Sequence, residues 1–442
     1  MKLSMTYHVR TRGFNHIFDE TVRLYRQAVS FFVDVCLTEW NLISTGKLQK
    51  ERVNLVESLT VRTRQNPAVP YDFSAAFYKF PSYLRRAAIA EALGKVSSYR
   101  SNLANWEAAD SAKRGEKPSL PQVGYIYPAM YRSGMFIRTG IYQAALKVFI
   151  RNTWDWVLVD LRKSDADYIL RRCKNCKECV LALQKRGKKW FLDFVFQTSA
   201  KLPDVPIKDT SILAVDLGLS SACTCSIMTP EGAVLGREFL SLPGEYDSLE
   251  HAVSHIRHAQ KLCARKTPGL WKQARGINDD IAVKTARFIV DTAIKYDADC
   301  IVMEYLDLAG KKRGSKKQRL HLWRAKYVQT MVTDKAHRNM IRTARVCAWN
   351  TSRLAFDGSG RVMRGKEADL PSYSLCRFQT GKQYNCDLNA SYNIGSRYYI
   401  RELLKTLPVT AGQVVTAKVP ELAHRSKCTL SSLIKLNAVL AA

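Results

Sequence analysis

The sequence predicts a multidomain α+β protein, and three observations carry that expectation. Its 442 residues exceed what one hydrophobic core usually organises and allow two to four domains. The first half mixes a period-2 stretch, long helical patterns and a hairpin signal. The second half holds two apolar runs, ILAVD and CIVME, which read as buried strands of an α/β sheet, each closing on an acid.

Taken in order, MKLSMTYHVRTRGF alternates at period two, predicts a first strand near Thr6 to Arg10, and lacks the apolar core of a signal peptide. A helical stretch follows, in which Phe18, Val22, Leu24, Tyr25, Val29, Phe32, Val33 and Val35 make a broad apolar face. The segment SYLRRAAIAEALGKVSSYRSNLANWEAAD extends the helical pattern and mixes Arg85, Arg86, Lys95 and Arg100 with Trp106. Such a mixture can grip nucleic acid by phosphate contacts and stacking, or be an ordinary charged helix surface over a packed Trp. SAKRGEKPSLPQVG is loop-like, and strand signals return in MYRSGMFIRTG. VLALQKRGKKWFLDFVFQ contains two alternating strands around an Arg186-Gly187 turn, the pattern of a hairpin. KLPDVPIKD reads as a linker, and the α/β half begins at Ser211. That half is expected to contain a strand pair around Asp216 and Met228, a basic helix-rich segment from Tyr246 to Lys295, and the Glu304 strand. No internal repeat is present.

Three carboxylates stand out: Asp216 in ILAVDLGLS, Glu304 in CIVMEYL and Asp387 in YNCDLNASYNIG. The first two sit near strand ends, where α/β sheets place ligands, and Asp387 opens a helical pattern. Three acids converging from two strands and a helix suit a hard divalent cation, which takes oxygen ligands and keeps positions for water and phosphate. That arrangement favours two-metal phosphodiester hydrolysis. Singly, each acid has a plainer reading. An Asp before Gly often serves a turn through local hydrogen bonds, and Asp387 is placed to cap a helix. Glu304 resists such a reading, because a charged, unpaired Glu in a buried strand would cost several kcal/mol, on the order of 2–7 even for a neutral polar group.

Composition points to the partner. With 69 Lys+Arg against 39 Asp+Glu, the net charge is +30 and the pI about 9.7. A surplus spread this widely reads as affinity for a polyanion through counterion release. Clusters occur at Lys185, Arg186, Lys188 and Lys189, next to Trp190, and at Lys311, Lys312, Arg313, Lys316, Lys317 and Arg319, with Arg324 beyond. No apolar run reaches the roughly 18 residues of a membrane span. Twelve cysteines without a signal sequence suit a reducing cytoplasm better than a disulfide framework. Cys173, Cys176 and Cys179 have metal-like C-x-x-C-x-x-C spacing but no clear fourth ligand.

VDLG around Asp216, MEYL around Glu304 and CDLNASYNIG around Asp387 resemble the three motifs of the RuvC-like nuclease in transposon-encoded TnpB and the compact type V CRISPR effectors. AHRNMIRTARVCAWNTSRL is similar to the family's entry into its target-nucleic-acid-binding insert, and AEALGKVSSYRSNLANW to part of its recognition lobe. The resemblance implies an N-terminal β-barrel-like wedge domain (1–10 and 135–208) with an inserted helical recognition lobe (11–134). It also implies an RNase H-like α/β RuvC nuclease domain (209–346, completed by the third motif at 384–405), with a small insert at 347–383 and a tail at 406–442.

The implied activity is RNA-guided cleavage of double-stranded DNA. Asp216, Glu304 and Asp387 would be catalytic and would hold two Mg²⁺ ions, with Mn²⁺ able to substitute. The implied partners are target DNA and a guide RNA, either transposon-derived or a CRISPR RNA with an optional trans-activating RNA. The chain would be cytoplasmic, nucleoid-associated when bound to DNA. Candidate nucleic-acid contacts are Arg85, Arg86, Arg100, Lys188, Trp190, Lys311, Lys312, Arg313 and Arg324. Family members commonly carry two C-x-x-C pairs in the insert; here the stretch is TSRLAFDGSGRVMRG followed by SLCRFQTGKQYNC. Zinc is therefore not expected there, and Phe356, Val362, Tyr373, Leu375, Phe378 and Tyr384 are expected to pack the segment instead. The alternatives are a guide-dependent DNA-binding repressor and a transposase-like strand-transfer protein.

Overall fold

The computed structural model describes residues 1–442 except 14–15, 112–113, 132, 219–220, 264–265, 307–322 and 373. It divides into two compact units, residues 2–198, and residues 199–442 together with Met1.

The first unit opens with β1 (Lys2–Arg12), in which Leu3, Met5, Val9 and Thr11 turn to one side and are buried. Then come α1 (Ile17–Thr38), α2 (Trp40–Ile43), α3 (Gln49–Thr60), α4 (Phe73–Ala76) and α5 (Ser82–Ala108). In α1, Asp19 and Glu20 sit in the first turn, where the helix dipole favours anions, and the residues from Phe18 to Cys36 on its apolar face are buried. The strands are β2 (Ala129–Met130), β3 (Phe136–Arg138), β4 (Gln143–Ile150) and β5 (Thr153–Leu161), then, after α6 (Lys163–Arg172), β6 (Lys177–Glu178), β7 (Leu181–Arg186) and β8 (Lys189–Ser199). They form a barrel-like sheet in the order β2-β7-β8-β1-β5-β4-β3, with β6 on β8. The β7–β8 hairpin expected around Arg186-Gly187 is present; Gly187 takes φ +60°, the left-handed conformation that a tight turn requires.

Trp190 corrects an expectation. It is among the candidate nucleic-acid contacts, yet it is 1% exposed and packs edge-on against Phe18, with ring centroids 5.3 Å apart. The reason is the period of β8: Trp190, Leu192, Phe194 and Phe196 all turn inward.

The second unit contains β9 (Ile212–Asp216), β10 (Cys223–Met228), β11 (Val234–Leu240), α7 (Pro243–Lys261), α8 (Pro268–Lys295), β12 (Cys300–Tyr305), α9 (Ala325–Arg338) and β13 (Arg342–Cys347). After β14 (Met363–Arg364), β15 (Leu375–Arg377) and β16 (Gln383–Asn385) come α10 (Cys386–Thr406), α11 (Val409–Lys418) and α12 (Leu430–Ala441). Five strands form a mixed sheet in the order β11-β10-β9-β12-β13, parallel from β9 to β13 and antiparallel across β9, β10 and β11. Helices cover both faces. Ile212, Ala214, Met228, Cys300 and Val302 pack with Tyr392, Ile394 and Tyr399 of α10. Leu213, Val215, Ile301 and Met303 pack with Ala286 and Ile289 of α8 and Val328 and Val332 of α9.

Gly395 is what lets α10 lie so close to the sheet. A Cβ there would meet Met228 Sδ at 2.4 Å and Ala214 Cβ at 3.1 Å. Nearby, the Tyr399 hydroxyl lies 2.7 Å from the Met228 carbonyl and 2.8 Å from that of Thr210.

A small three-stranded sheet, β14-β15-β16, precedes α10. Its core is Ala355, Val362, Cys376, Phe378 and Cys386, flanked by Phe356 and Tyr384. Of the residues expected to pack this segment, Phe356, Val362, Phe378 and Tyr384 do so, Leu375 lies outside the cluster, and Tyr373 lies outside the described residues. No helix among the described residues is long and apolar enough to cross a membrane.

Candidate functional site

Two adjacent strands and one helix start bring the three acids to the same side of the sheet. Asp216 ends β9, and Val215 pairs with Met303 as the last rung between β9 and β12. One step further, Glu304 stands beside Asp216, on strands whose usual spacing is about 4.8 Å. Alternation decides the face: Ala214 and Val302 point to α10, so Asp216 and Glu304, two residues on, do so as well. Asp387 lies in the first turn of α10. It is not the cap. Asn385 fills that role, its side-chain oxygen accepting from the backbone N–H of Asp387 at 2.9 Å and of Leu388 at 3.0 Å. The Asp387 carboxylate is therefore spared for other partners, among them the Ser221 side chain.

The electrostatics agree with this convergence. The Asp216 carboxyl is held well above its ordinary 3.8, first by burial, then by the charges of Glu304 and Asp387, with Arg364 acting against them. Glu304 is raised by burial, opposed by the Thr351 hydroxyl and by Arg397. Asp387 is raised by burial, opposed by Ser221 and Arg364. Three desolvated carboxylates thus share little positive charge, and this oxygen-only donor set suits a hard cation. Among the described residues, no group of three or more His, Cys, Asp or Glu is arranged to hold a metal ion as it stands. Cys173 is buried at the end of α6, Cys176 and Cys179 are half-buried, and all twelve cysteines are free thiols.

Sequence reasoning missed the groups that position the acids. Thr351 Oγ1 donates to Glu304 Oε1, and Gln329 Nε2 donates to the Glu304 carbonyl at 2.7 Å. Thr351 is itself held by α10: Asn393 Nδ2 donates to the carbonyls of Thr351 and Leu354, each at 2.9 Å. Asn389, one turn earlier, takes the Phe356 N–H at 2.8 Å and donates to Leu354 at 2.9 Å. The asparagines of CDLNASYN therefore fasten the loop that carries Thr351. Arg397, only 4% exposed, donates to the carbonyls of Cys347, Trp349, Ser426 and Cys428 at 2.7–3.1 Å. Its signal was an arginine inside the apolar helical run SYNIGSRYYI; Thr351 and Arg364 had none.

The candidate nucleic-acid contacts are dispersed. Arg85 is drawn against Glu57 of α3 at 3.0 Å, and Arg100 donates to the Leu37 carbonyl of α1 at 3.1 Å, so both brace α5. Arg86 reaches the same Glu57 while remaining exposed, and Lys188 is exposed in the β7–β8 turn. Arg324 pairs with Asp279 at 2.5 Å. Lys311, Lys312 and Arg313 lie outside the described residues.

The model of the Aq_aa04 family matches residues 3–150. Uncharacterized protein aq_aa04 of Aquifex aeolicus (strain VF5) is 32% identical over 133 residues, which span 27% of this chain and 74% of that protein. Among solved structures, a Cas12f1–sgRNA–target DNA complex aligns at 15% identity and TM-score 0.35, over 89% of this chain and 98% of its own. CasPhi-2 (Cas12j) bound to crRNA aligns at 12% identity and TM-score 0.39, over 89% and 97%. An AacC2c1–sgRNA binary complex aligns at 11% identity and TM-score 0.39, over 87% and 70%.

Proposed function

We propose that this chain, which belongs to the Aq_aa04 family, is an RNA-guided endonuclease that cuts DNA with Asp216, Glu304 and Asp387 as its catalytic acids. One observation carries the reading: Asp216 and Glu304 stand side by side at the ends of neighbouring parallel strands, on the face where α10 presents Asp387. Burying three like charges is unfavourable to the fold alone, so the cluster is best explained by a function that needs it. The charge of +30 supports a nucleic-acid substrate. The guide and the DNA target rest on the likeness of the VDLG, MEYL and CDLNASYNIG motifs to the RuvC-like nucleases of TnpB and the compact type V effectors.

In this reading the three carboxylates would hold divalent cations, two Mg²⁺ in the full site, which supply an activated water and stabilise the leaving oxygen when bound. Thr351 fixes the Glu304 carboxylate by its hydroxyl, Asn393 holds the Thr351 carbonyl, and Asn389 holds Leu354 and Phe356 of the same loop. Arg364, between Asp216 and Asp387 in its electrostatic influence, limits their mutual repulsion and would attract the phosphate backbone. Guide pairing would choose the sequence, the protein reading backbone and duplex shape.

A second reading is a guide-dependent DNA-binding repressor, which the charge of +30 serves equally well without chemistry at the acids. The test is to purify the protein with its RNA, sequence that RNA, and present the complex with Mg²⁺ to DNA carrying the matching target beside a randomised flank. Cutting beside the match supports the nuclease. Binding without cutting supports the repressor, and cutting that survives removal of the RNA removes the guide.

A further inference from the structure

The row of side chains that holds Glu304 and Asp216 continues across the sheet. Thr224 of β10 pairs with Asp216, and Phe239 of β11 pairs with Thr224. Residues directly opposite on antiparallel strands share a face, with Cβ atoms about 4.5–5.5 Å apart, so Thr224 flanks Asp216 on the side away from Glu304. Alternation agrees on the face: Ser226, two residues along β10, meets Ser391 of α10 hydroxyl to hydroxyl. Thr224 is 1% exposed, and its hydroxyl has no hydrogen-bond partner among the described residues. The hydroxyls around it are satisfied. Ser226 and Ser391 bond to each other, and Ser391 and Ser396 donate to the carbonyls of Leu388 and Tyr392 at 2.9 and 2.7 Å. A second unpartnered buried atom lies in the same neighbourhood, Arg364 Nε, although Arg364 Nη2 donates to the Ser352 carbonyl at 2.6 Å.

A buried hydroxyl without a partner lowers stability, and valine would fill the same place in a strand without that cost. The partner of Thr224 is therefore something the protein does not itself supply. Its lateral neighbours are an apolar ring, Phe239, and a carboxylate, Asp216. A threonine hydroxyl has one proton to give and two lone pairs, so it can donate to a carboxylate and accept from a water at once. Mg²⁺ held by a few carboxylates keeps several of its waters, and their protons need acceptors. The other two acids already have such a group, the Thr351 hydroxyl on Glu304 and the Ser221 side chain on Asp387. We propose that Thr224 is the positioning residue for Asp216, its hydroxyl donating to the carboxylate and accepting from a water that the cation carries. The inference rests on the reading of Asp216, Glu304 and Asp387 as cation ligands and adds the group that orients the first of them.

The experiment follows Mn²⁺ alone, by calorimetry and by its effect on melting temperature, on the full-length protein without RNA or DNA. Wild type, Asp216→Asn, Thr224→Val and Thr224→Ser are compared. Wild type should bind Mn²⁺, and Asp216→Asn should lose that binding. Thr224→Val should weaken Mn²⁺ by about 10–100-fold, the loss typical of a partner that orients a metal ligand. Its melting temperature in EDTA should stay at or above that of wild type, because the hydroxyl it removes has no partner in the cation-free fold. Thr224→Ser keeps the hydroxyl and should bind Mn²⁺ as wild type does, which separates the hydroxyl from the packing of the β-branched side chain. Equal Mn²⁺ affinity in wild type and Thr224→Val, with Asp216→Asn binding weakly, would overturn the role of Thr224 and leave the carboxylates as ligands. No Mn²⁺ bound by wild type, or binding indifferent to Asp216→Asn, would overturn the carboxylate reading and the role of Thr224 with it. A Thr224→Val protein that melts well below wild type in EDTA would show the hydroxyl paired within the fold and would also overturn the proposal.

Discussion

Glu304 stands beside Asp216 on the neighbouring parallel strand, one rung past the Val215–Met303 pair, and both carboxylates face α10. Held without a cation, the two acids repel. Asp216→Asn is therefore expected to raise the melting temperature of the EDTA-treated protein, by roughly 2–4 °C, the response of a domain of 150–250 residues to 1 kcal/mol. The same variant should lose cleavage. A lower melting point in calorimetry would show that the Asp216 charge is compensated by the fold itself.

The pH dependence follows from sign. Asp216, Glu304 and Asp387 all have carboxyls raised above their ordinary values of 3.8, 4.5 and 3.8. Their contribution to stability is complete below those values and is lost as pH rises through the raised ones. Ion-paired acids such as Glu238 and Glu421 are lowered and act in the opposite sense, so a difference measurement is needed. In EDTA, the stability gained by Asp216→Asn/Glu304→Gln/Asp387→Asn over wild type should grow as pH rises above the ordinary carboxylate range, and Mg²⁺ should shrink it by stabilising wild type alone. A gap that stays flat with pH and cation would contradict this.

Thr351→Val keeps the shape and removes the hydroxyl that orients Glu304. Partners of this kind typically carry 10–100-fold in metal affinity or activity, and a loss of about that size is expected, with the Mg²⁺ concentration for half-maximal cutting moved upward. Unchanged Mg²⁺ dependence would make Thr351 a purely structural contact.

Gly395→Ala places a Cβ against the Met228 sulfur and Ala214 Cβ, so that the buried Met228 side chain or the helix must shift. Overpacking of this kind costs about 1–3 kcal/mol, and cleavage should fall with it because Asp387 rides on the same helix. Urea unfolding with no loss in midpoint would show that the contact relaxes locally.

Trp190 separates packing from recognition. Trp190→Ala should cost about 3–5 kcal/mol in urea unfolding, whereas Trp190→Phe, which keeps the core filled, should leave RNA affinity unchanged. A tenfold loss of RNA binding in the Phe variant would return Trp190 to the nucleic-acid surface.

The acids were legible because each is an anomaly in its local pattern. Glu304 interrupts the apolar run of β12, and the two strands could be read from CIVM and ILAV. The hairpin at Gly187 was legible for the same reason, a strong period broken by a turn residue. What could not be read was lateral order. β11 and β13 are only half-buried and carry charged residues, so their alternation is weak, although β13 completes the sheet beside β12. Side-chain direction was equally hidden. Trp190 lies in a basic tract, yet strand alternation turns it inward, and Thr351 and Arg364 reach the acids from the segment around the small sheet through contacts no local pattern encodes.

The most direct test of the carboxylate site is single-turnover cleavage of a matched DNA by the RNA-loaded protein, with Glu304→Gln and wild type compared at equal occupancy by filter binding. The expected result is Mg²⁺-dependent cutting by wild type and none by Glu304→Gln, with DNA bound equally by both. Cutting by Glu304→Gln at the wild-type rate, or no cutting by a wild-type complex that binds its target in Mg²⁺, would contradict it.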